Sequence, residues 1–265
     1  MRILVLGSKG MLGHVMLRTL RAHFEGVKGF SRQSGLDATD LIHSREILTR
    51  YSFPNVIVNC VGVVKQRPEN MKESVAVNSL FPNFLHQICS EFGSHLVHFS
   101  TDCVFDGEAG YYTEEDRPNA KDVYGITKSL GEVQVNALTL RTSIIGRERS
   151  NYYGLLEWFL CQKGDIPGYT NSVFSGVTTE WLSETVAELI KRGFYSGLYH
   201  VASVPISKYD LLETFRKVYK TPVRIIPTAE PMCDRSLNSY KFVRATGIKT
   251  PQLPQLVREQ YEKNL

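Results

Sequence analysis

The sequence predicts a doubly wound α/β fold, in which a parallel sheet is covered by helices on both faces. Unbroken apolar runs, such as residues 2–6 and 56–61, are typical of strands that are buried on both sides. Segments with apolar residues at helical spacing separate these runs, and this alternation indicates parallel crossover units. A chain of 265 residues is long enough for one large domain of this kind with a smaller lobe.

The individual elements follow from local patterns. The first strand stops at Gly7, and the helix after it carries its apolar side chains on one face. Pro54 introduces a later buried strand, and Pro82 puts a step into a long helix, because proline cannot donate a backbone hydrogen bond. In chain order we predict strand 2–6, helix 11–23, strand 27–30, helix 44–51, strand 56–61, helix 73–92, strand 96–99, helix 124–136, strand 138–142, helix 180–192, strand 197–201 and helix 207–219.

The composition narrows the class of protein. The net charge is only +4 and no basic run occurs, so we expect no nucleic-acid partner. The five cysteines include no C-x-x-C pair, which favours a reducing compartment and predicts no metal site. No run of about 18 apolar residues occurs, and no signal-peptide pattern either. We therefore expect a cytoplasmic protein that does not bind a membrane.

The first strand leads into a glycine-rich turn with the spacing G-x-x-G-x-x-G. Glycines permit a tight turn and let backbone N–H groups approach a pyrophosphate, and the following helix N-terminus adds a positive dipole. The turn predicts a dinucleotide-binding Rossmann domain at 1–147, completed by about 177–202, with a substrate-binding lobe at 148–176 and 203–265. The expected cofactor contacts in the turn are Gly7, Lys9, Gly10, Met11, Leu12 and Gly13.

The end of the second strand favours NADP over NAD. An NAD site usually has a carboxylate there for the ribose hydroxyls, whereas this sequence has Ser31 and Arg32. A guanidinium beside a hydroxyl suits the extra 2′-phosphate of NADP. We therefore expect NADP(H) as the cofactor, with both residues among its contacts.

A Tyr-x-x-x-Lys spacing and a strand-end Ser-Thr pair suggest catalysis. Tyr124 and Lys128 lie four residues apart and share one helix face. A tyrosine phenol has an unperturbed pKa of about 10, so it exchanges a proton at neutral pH only when a cation lowers that pKa. Lys128 and a bound nicotinamide cation would do so. Thr101, just after the fourth strand, could hydrogen-bond a substrate carbonyl.

These motifs resemble those of the extended short-chain dehydrogenase/reductases, and within them the dTDP-4-dehydrorhamnose reductase group of sugar-nucleotide reductases. The resemblance covers most of the chain. The most discriminating segments contain Thr101 and Tyr124. The matching segments read GSKGMLG, AVNSLFP, HFSTDCVFDG, YTEEDRPNAKDVYGITKSLGE, LRTSIIG, GLYHVAS and DRSLNSYKF.

The resemblance implies NADPH-dependent reduction of the C4 ketone of a nucleotide-linked 4-keto-6-deoxy sugar, in polysaccharide or cell-surface sugar biosynthesis. Tyr124 would protonate the new alkoxide, Lys128 would lower its pKa and hold the nicotinamide ribose, and Thr101 would orient the carbonyl. The resemblance also implies a homodimer. Further cofactor positions would be Asp37, Cys60, Val61, Gly62 and Asn78, the last supporting the active-site backbone or serving as a buried structural amide.

The resemblance does not identify the sugar of the substrate. Relatives usually have a tyrosine in place of Cys103 and often a tryptophan in place of Ile144, and both positions would border the sugar. Arg235 would pair with the substrate diphosphate or form a structural salt bridge. The residues expected to contact substrate are Thr101, Asp102, Cys103, Val104, Tyr124, Ile144 and Arg235.

Two alternatives stay open. A cysteine at this place works with a histidine in GDP-fucose-synthase-like epimerase-reductases, so Cys103 could support epimerisation, although no histidine follows the RTSIIG strand closely. A buried inert thiol is the more common case. The fold could also serve as a noncatalytic NADP-binding regulatory subunit, a role that would not need Tyr124, Lys128 and Thr101 together.

Overall fold

A computed structural model describes residues 1–50, 54–65, 70–149, 152–193 and 195–263. Its strands are β1 Ile3–Leu6, β2 Val27–Phe30, β3 Val56–Asn59, β4 His95–Ser100, β5 Ala137–Arg141, β6 Ile144–Ile145, β7 Asp165–Tyr169, β8 Ser172–Phe174, β9 Val177–Thr178, β10 Gly197–His200, β11 Ile206–Ser207, β12 Arg224–Thr228 and β13 Cys233–Asp234. Its helices are α1 Met11–His23, α2 Leu41–Arg50, α3 Met71–Ser74, α4 Phe81–Phe92, α5 Val123–Leu130, α6 Leu155–Leu160, α7 Thr179–Arg192, α8 Lys208–Tyr219, α9 Tyr240–Thr246 and α10 Leu253–Lys263.

Six parallel strands form the central sheet, in the order β10-β5-β4-β3-β1-β2. Alternate residues of each strand point to opposite faces, so Ile3 and Val5 pack with α1 and α7, whereas Leu4 and Leu6 pack with α2 and α4. The predicted doubly wound α/β fold is therefore confirmed. Because all six strands are parallel, their carboxyl ends lie along one edge, where such sheets bind ligands.

The predicted elements of the sheet are present, with shifted ends. The strand after Pro54 stops at Asn59, before the predicted end at residue 61. The helix predicted at 73–92 begins at Met71 and runs through a π-helical stretch, Val75–Leu80, into α4. The helix predicted at 44–51 already begins at Leu41, and residue 51 lies outside the described part of the chain.

The helix predicted at 124–136 is much shorter and ends at Leu130. Gly131 ends it at a close approach to another helical segment, because a Cβ on Gly131 would lie 1.9 Å from the carbonyl oxygen of Asn78. The prediction was wrong about this end because the contact joins residues far apart in the sequence. Its consequence is that Glu132 leaves the helix and turns toward the sheet.

Short strands and helices of the second half pack around one end of the sheet. Strands β7 and β12 pair in parallel, and β8 lies between β11 and β13. The hydrophobic cluster on the α1 face continues without a break into α6, α8 and α10, through side chains such as Phe159, Phe215 and Leu256. The sheet and the smaller elements thus share one core, and the division at residue 147 stays a prediction.

Candidate active site

The glycine turn between β1 and α1 has no room for side chains. Gly7 has a φ of +76°, and a Cβ there would lie 2.8 Å from the backbone of Cys60. A Cβ on Gly13 would lie 2.0 Å from the carbonyl oxygen of Gly7. Helix α1 starts at Met11 with no side-chain cap and no acidic residue in its first turn. Its first backbone N–H groups are thus available to an anion, and this cradle fits a dinucleotide pyrophosphate.

Charged side chains gather beside this turn, at the end of β2. Ser31 caps a short 3₁₀ turn that begins at Arg32. The Arg32 guanidinium donates to Glu73 at 2.8 Å and lies 4.0 Å from Asp37, while more than half of its side chain is exposed. Lys9 reaches the same place and contacts Gln33. A 2′-phosphate here would meet two cations, together with carboxylates that hold Arg32 in position.

Asp37, a cofactor position implied by the resemblance, makes two hydrogen bonds within its own loop. Its carboxylate accepts hydrogen bonds from the backbone N–H and the hydroxyl of Thr39, at 2.9 and 2.8 Å. These bonds, the Thr39 backbone first, and the charge of Arg32 hold the pKa of Asp37 below its usual value. Asp37 therefore orders its own loop and is charged beside the cofactor cradle.

The segment after β3 is held in place by two buried amides. Asn59 accepts the N–H of Val61 at 3.1 Å, and Asn78 accepts the N–H of Val63 at 2.9 Å and donates back to its carbonyl at 3.2 Å. Cys60 lies between these amide contacts, and burial raises the pKa of its thiol. The Asn78 side chain is itself buried, so its role is to support the backbone of residues 61–63.

The end of β4 and the start of α5 meet at the sheet edge. Thr101 caps the turn after β4 by accepting the N–H of Cys103 at 3.2 Å. Helix α5 packs closely on this turn, because a Cβ on Gly125 would lie 2.2 Å from the carbonyl oxygen of Cys103. The close packing places the Tyr124 phenol near the Thr101 hydroxyl, which acts to lower the pKa of the phenol.

In the protein alone, the pKa of the Tyr124 phenol is raised, whereas the predicted effect of Lys128 and a bound nicotinamide is to lower it. Burial raises this pKa, and the neighbouring Cys103 and Asp102 raise it further, while Thr101 lowers it. Lys128 is buried on the same helix and donates to the carbonyl oxygen of Phe99 at 2.6 Å. Burial lowers the pKa of Lys128 to about 8. The protein's own groups thus keep Tyr124 protonated, which suits a proton donor.

Asp122 prepares the start of α5. Its carboxylate caps the helix by accepting the N–H of Gly125 at 2.9 Å, and its other oxygen accepts Lys65 at 2.7 Å. Against the opposing effect of burial, Lys65 and Gly125 lower the pKa of Asp122. The Lys65–Asp122 pair thus joins the segment after β3 to the residue two positions before Tyr124.

A cleft of about 700 Å³ lies next to Asp122. Arg235 projects into it while donating to the carbonyl oxygens of Phe105 and Asp106 at 2.8 and 3.2 Å. Sequence reasoning missed Asn171, which belongs to no motif, and Lys121, which lies in a matching segment but has no role implied by it; both reach the cleft through the fold. The cleft is lined by Asp106, Gly107, Glu108, Ala120, Lys121, Asp122, Asn171, Met232, Cys233, Asp234 and Arg235.

Three residues expected to contact substrate have distinct surroundings. Val104 is wholly buried against Phe105, so the predicted contact with substrate could be made by its backbone and not by its side chain. Cys103 is half-buried; burial first, and then Asp102, raise the pKa of its thiol to about 12. Ile144 lies half-buried on β6, which pairs with β9.

Among the residues that the structure describes, no group of three or more His, Cys, Asp and Glu side chains is arranged to hold a metal ion. No helix within the described ranges combines the length and the apolar character that a membrane crossing requires.

The parallel sheet, the glycine cradle and the Tyr124–Lys128 helix against the β4 end define an extended short-chain dehydrogenase/reductase. Within that class, the chain belongs to the family described as the RmlD substrate binding domain, whose model matches residues 1–252. The predicted family resemblance is therefore confirmed.

Named relatives agree with this placement. The chain is 32% identical to a probable low-salt glycan biosynthesis reductase, Agl14, of Haloferax volcanii, covering 75% of this chain and 73% of the relative. It is 30% identical to a dTDP-4-keto-6-deoxy-D-glucose reductase of Streptomyces niveus, covering 85% and 82%. A crystal structure of dTDP-4-dehydrorhamnose reductase from Bacillus anthracis in complex with NADP superimposes with a TM-score of 0.87 at 19% identity, covering 100% and 99%.

Proposed function

We propose that the protein catalyses NADPH-dependent reduction of the C4 ketone of a nucleotide-linked 4-keto-6-deoxy sugar. The observation that carries this proposal is the packing of α5 on the turn after β4, which places the Tyr124 phenol beside Thr101. The names of the Streptomyces niveus and Bacillus anthracis relatives support the choice of substrate class.

The proposed chemistry divides between cofactor and protein. The nicotinamide, when bound, supplies the hydride. Thr101 and Tyr124 hold the ketone oxygen between their hydroxyls, and Tyr124 gives its proton to that oxygen as negative charge develops. The positive charge of Lys128 then stabilises the phenolate that is left behind. A phenol that the protein keeps protonated is the form this step needs.

We propose NADP(H) rather than NAD(H) as the cofactor. Support comes from Arg32, at the end of β2, and from Lys9 of the glycine turn, whose side chain reaches Gln33 at the same place. A 2′-phosphate would be placed there. Glu73 orients Arg32 at 2.8 Å, and more than half of the side chain remains exposed to a ligand. An arginine held in this way can present its remaining N–H groups to a phosphate.

We propose that the cleft beside Asp122, lined partly by residues 106–122 and partly by a substrate-binding lobe formed by 148–176 and 203–265, holds the nucleotide-linked part of the substrate. Arg235 is the candidate partner for the diphosphate, since its Nη1 is not used by the carbonyl contacts that fix its other nitrogens. Cys103 and Ile144 are the candidate contacts for the sugar. We further propose that the chain acts as a homodimer in the cytoplasm, where its free thiols would stay reduced.

The contacts and pKa shifts around Tyr124 and Cys103 give less support to the two alternatives, an epimerase-reductase and a noncatalytic NADP-binding subunit. An epimerase acid–base pair needs a thiol that ionises, whereas burial and Asp102 raise the pKa of Cys103 to about 12. A regulatory subunit that only binds NADP has no use for the Thr101–Tyr124 contact. Solvent-derived deuterium at C3 or C5 of the product would favour epimerisation instead.

One screen tests the proposal. The protein is incubated with NADPH and, in turn, with dTDP-, UDP-, GDP- and CDP-linked 4-keto-6-deoxy sugars, and NADPH oxidation is followed by absorbance. We expect oxidation with at least one of the four, and a reduced product at C4 by mass spectrometry and NMR. No oxidation with any of them would contradict the proposal and favour a binding role.

A further inference from the structure

A buried ion pair, Glu132–Arg141, lies beside the end of β4, next to the candidate active site. Arg141 on β5 donates to both carboxylate oxygens of Glu132, at 2.7 Å each. The two side chains are 3% and 5% exposed. Ser100, the last residue of β4, donates its hydroxyl to the same carboxylate at 2.6 Å. Glu132 therefore connects the end of α5 to β4 and β5 at the sheet edge where Thr101 begins its turn.

The same pair also holds the far end of the active-site turn. The Arg141 guanidinium lies 5.2 Å from the ring centre of Phe105, and its Nη1 lies 3.2 Å from Nε2 of His200. The Phe105 ring stacks on Tyr112 with a centroid distance of 4.0 Å. Contacts of Glu132 and Arg141 thus fix the turn at Ser100 and at Phe105, which flank Thr101 and Cys103.

Glu132 follows the buried Lys128 by four residues, and its charge acts on the Lys128 ammonium. The groups that act on this ammonium are the carbonyl oxygen of Phe99, His98 on β4, and Glu132. Burial and the nearby Lys128 lower the pKa of His98, so His98 is neutral. Burial lowers the pKa of Lys128, and Glu132 opposes that effect. Glu132 is therefore the carboxylate that supports the Lys128 charge.

Stability alone does not explain this ion pair. Removing two charges from water is costly, and well-packed apolar residues often replace a buried ion pair without loss of stability. The pair contacts the end of β4, which precedes Thr101, and follows the end of α5, the helix that contains Tyr124 and Lys128. Its position indicates a role in the reaction.

We propose that Glu132 is a positioning residue, which fixes the Ser100–Phe105 turn so that Thr101 stays against Tyr124, and which sustains the positive charge of Lys128. This inference rests on the proposed function for its kinetic part only. Its electrostatic part concerns the protein alone and can be measured without any substrate.

Two variants test the two roles of Glu132 separately: positioning the turn that holds Thr101, and supporting the charge of Lys128. Ser100→Ala removes one hydroxyl contact and leaves the Glu132–Arg141 pair intact. We expect a folded protein with unchanged KM and with kcat reduced about tenfold, because small displacements of reacting groups slow reactions steeply. Glu132→Gln removes the charge but keeps an oxygen for Ser100. We expect the pKa of Lys128 to fall below its value of about 8 in this variant.

The decisive experiment follows the Lys128 side chain by ¹³C NMR as a function of pH in the wild type, in Glu132→Gln and in Glu91→Gln. The signal is assigned with Lys128→Arg. Glu91 pairs with Arg45 at 2.6 Å between α4 and α2, so its replacement removes a Glu–Arg pair outside the active site. We expect the Lys128 titration to move to lower pH in Glu132→Gln only.

If Glu132→Gln does not fold, the double variant Glu132→Gln/Arg141→Met removes both charges and is titrated in the same way. An unchanged Lys128 titration would overturn the proposal, and so would an unchanged kcat in Ser100→Ala. If the wild type reduces none of the four substrates, the proposed function fails, and the titration alone decides whether Glu132 supports the Lys128 charge.

Discussion

The contact between Gly125 and the turn after β4 gives the sharpest prediction. In Gly125→Ala, the added Cβ would lie 2.2 Å from the carbonyl oxygen of Cys103 and 2.4 Å from the Cβ of Ala120. Ordinary contacts begin at 3.4 Å, so α5 must move from the turn by about 1.2 Å. That movement carries Tyr124 away from Thr101.

A displacement of this size predicts a large kinetic effect. A misplacement of about 1 Å lowers the rate of an enzyme about 100-fold, so we expect kcat to fall about 100-fold. NADPH should still bind, because the glycine cradle at Gly7–Gly13 is not among the atoms nearest to Gly125, and only the Lys128 contact with the nicotinamide ribose would be weakened. Alanine also favours helix over glycine by about 1 kcal/mol, so melting of α5 would not explain the loss.

The assay measures kcat for NADPH oxidation with the active substrate, and the Kd for NADPH by fluorescence. Gly93→Ala serves as the control, because Gly93 has a φ of +66° but no atom within 4 Å of its added Cβ. This control should lose some stability and keep its kcat. A Gly125→Ala enzyme as fast as the wild type would refute the reasoning.

Four other predictions follow from single groups. Arg32→Ala should raise the KM for NADPH at least about tenfold and leave that for NADH unchanged, since it removes a charge-assisted hydrogen bond; steady-state kinetics with both cofactors measure this. Cys103→Ser should still reduce substrate, with no solvent deuterium at C3 or C5 by NMR. In the wild type, kcat should decrease as pH rises above about 8, where Lys128 loses its proton. Burial and Arg141 lower the pKa of His200 to about 3, so unfolding takes up a proton between pH 3 and 6.5. Urea titrations should show stability decreasing as pH falls through that range, and less steeply in His200→Gln.

Local patterns were sufficient to predict the sheet and its ligand-binding edge. Unbroken apolar runs such as Ile3–Leu6 have few alternatives to a strand buried on both faces. The glycines of the first turn and the Tyr124–Lys128 spacing encode their chemistry within a few residues. Their positions at strand ends then follow from the parallel topology, which brings those ends to one edge.

Contacts between distant residues could not be read from the sequence. The end of α5 at Leu130 depends on Asn78, more than 50 residues earlier, whose carbonyl oxygen leaves no space for a side chain at Gly131. The burial of Val104 depends on Leu237 and its neighbours.

The candidate site shows the same division between local and distant contacts. The role of Glu132 depends on Arg141 and Ser100, which belong to different strands. Charged residues in a motif are visible in a sequence, but the partners that set their pKa values are visible only in the fold.

The most direct test of the account is the effect of Tyr124→Phe on NADPH oxidation with the nucleotide-linked 4-keto-6-deoxy sugar that the wild type reduces. Phenylalanine keeps the ring and removes the proton that Tyr124 is proposed to donate. We predict a folded protein that binds NADPH normally and turns over about 100- to 10,000-fold more slowly, the usual contribution of a general acid. Turnover equal to that of the wild type would contradict the assignment of Tyr124 and, with it, the proposed mechanism.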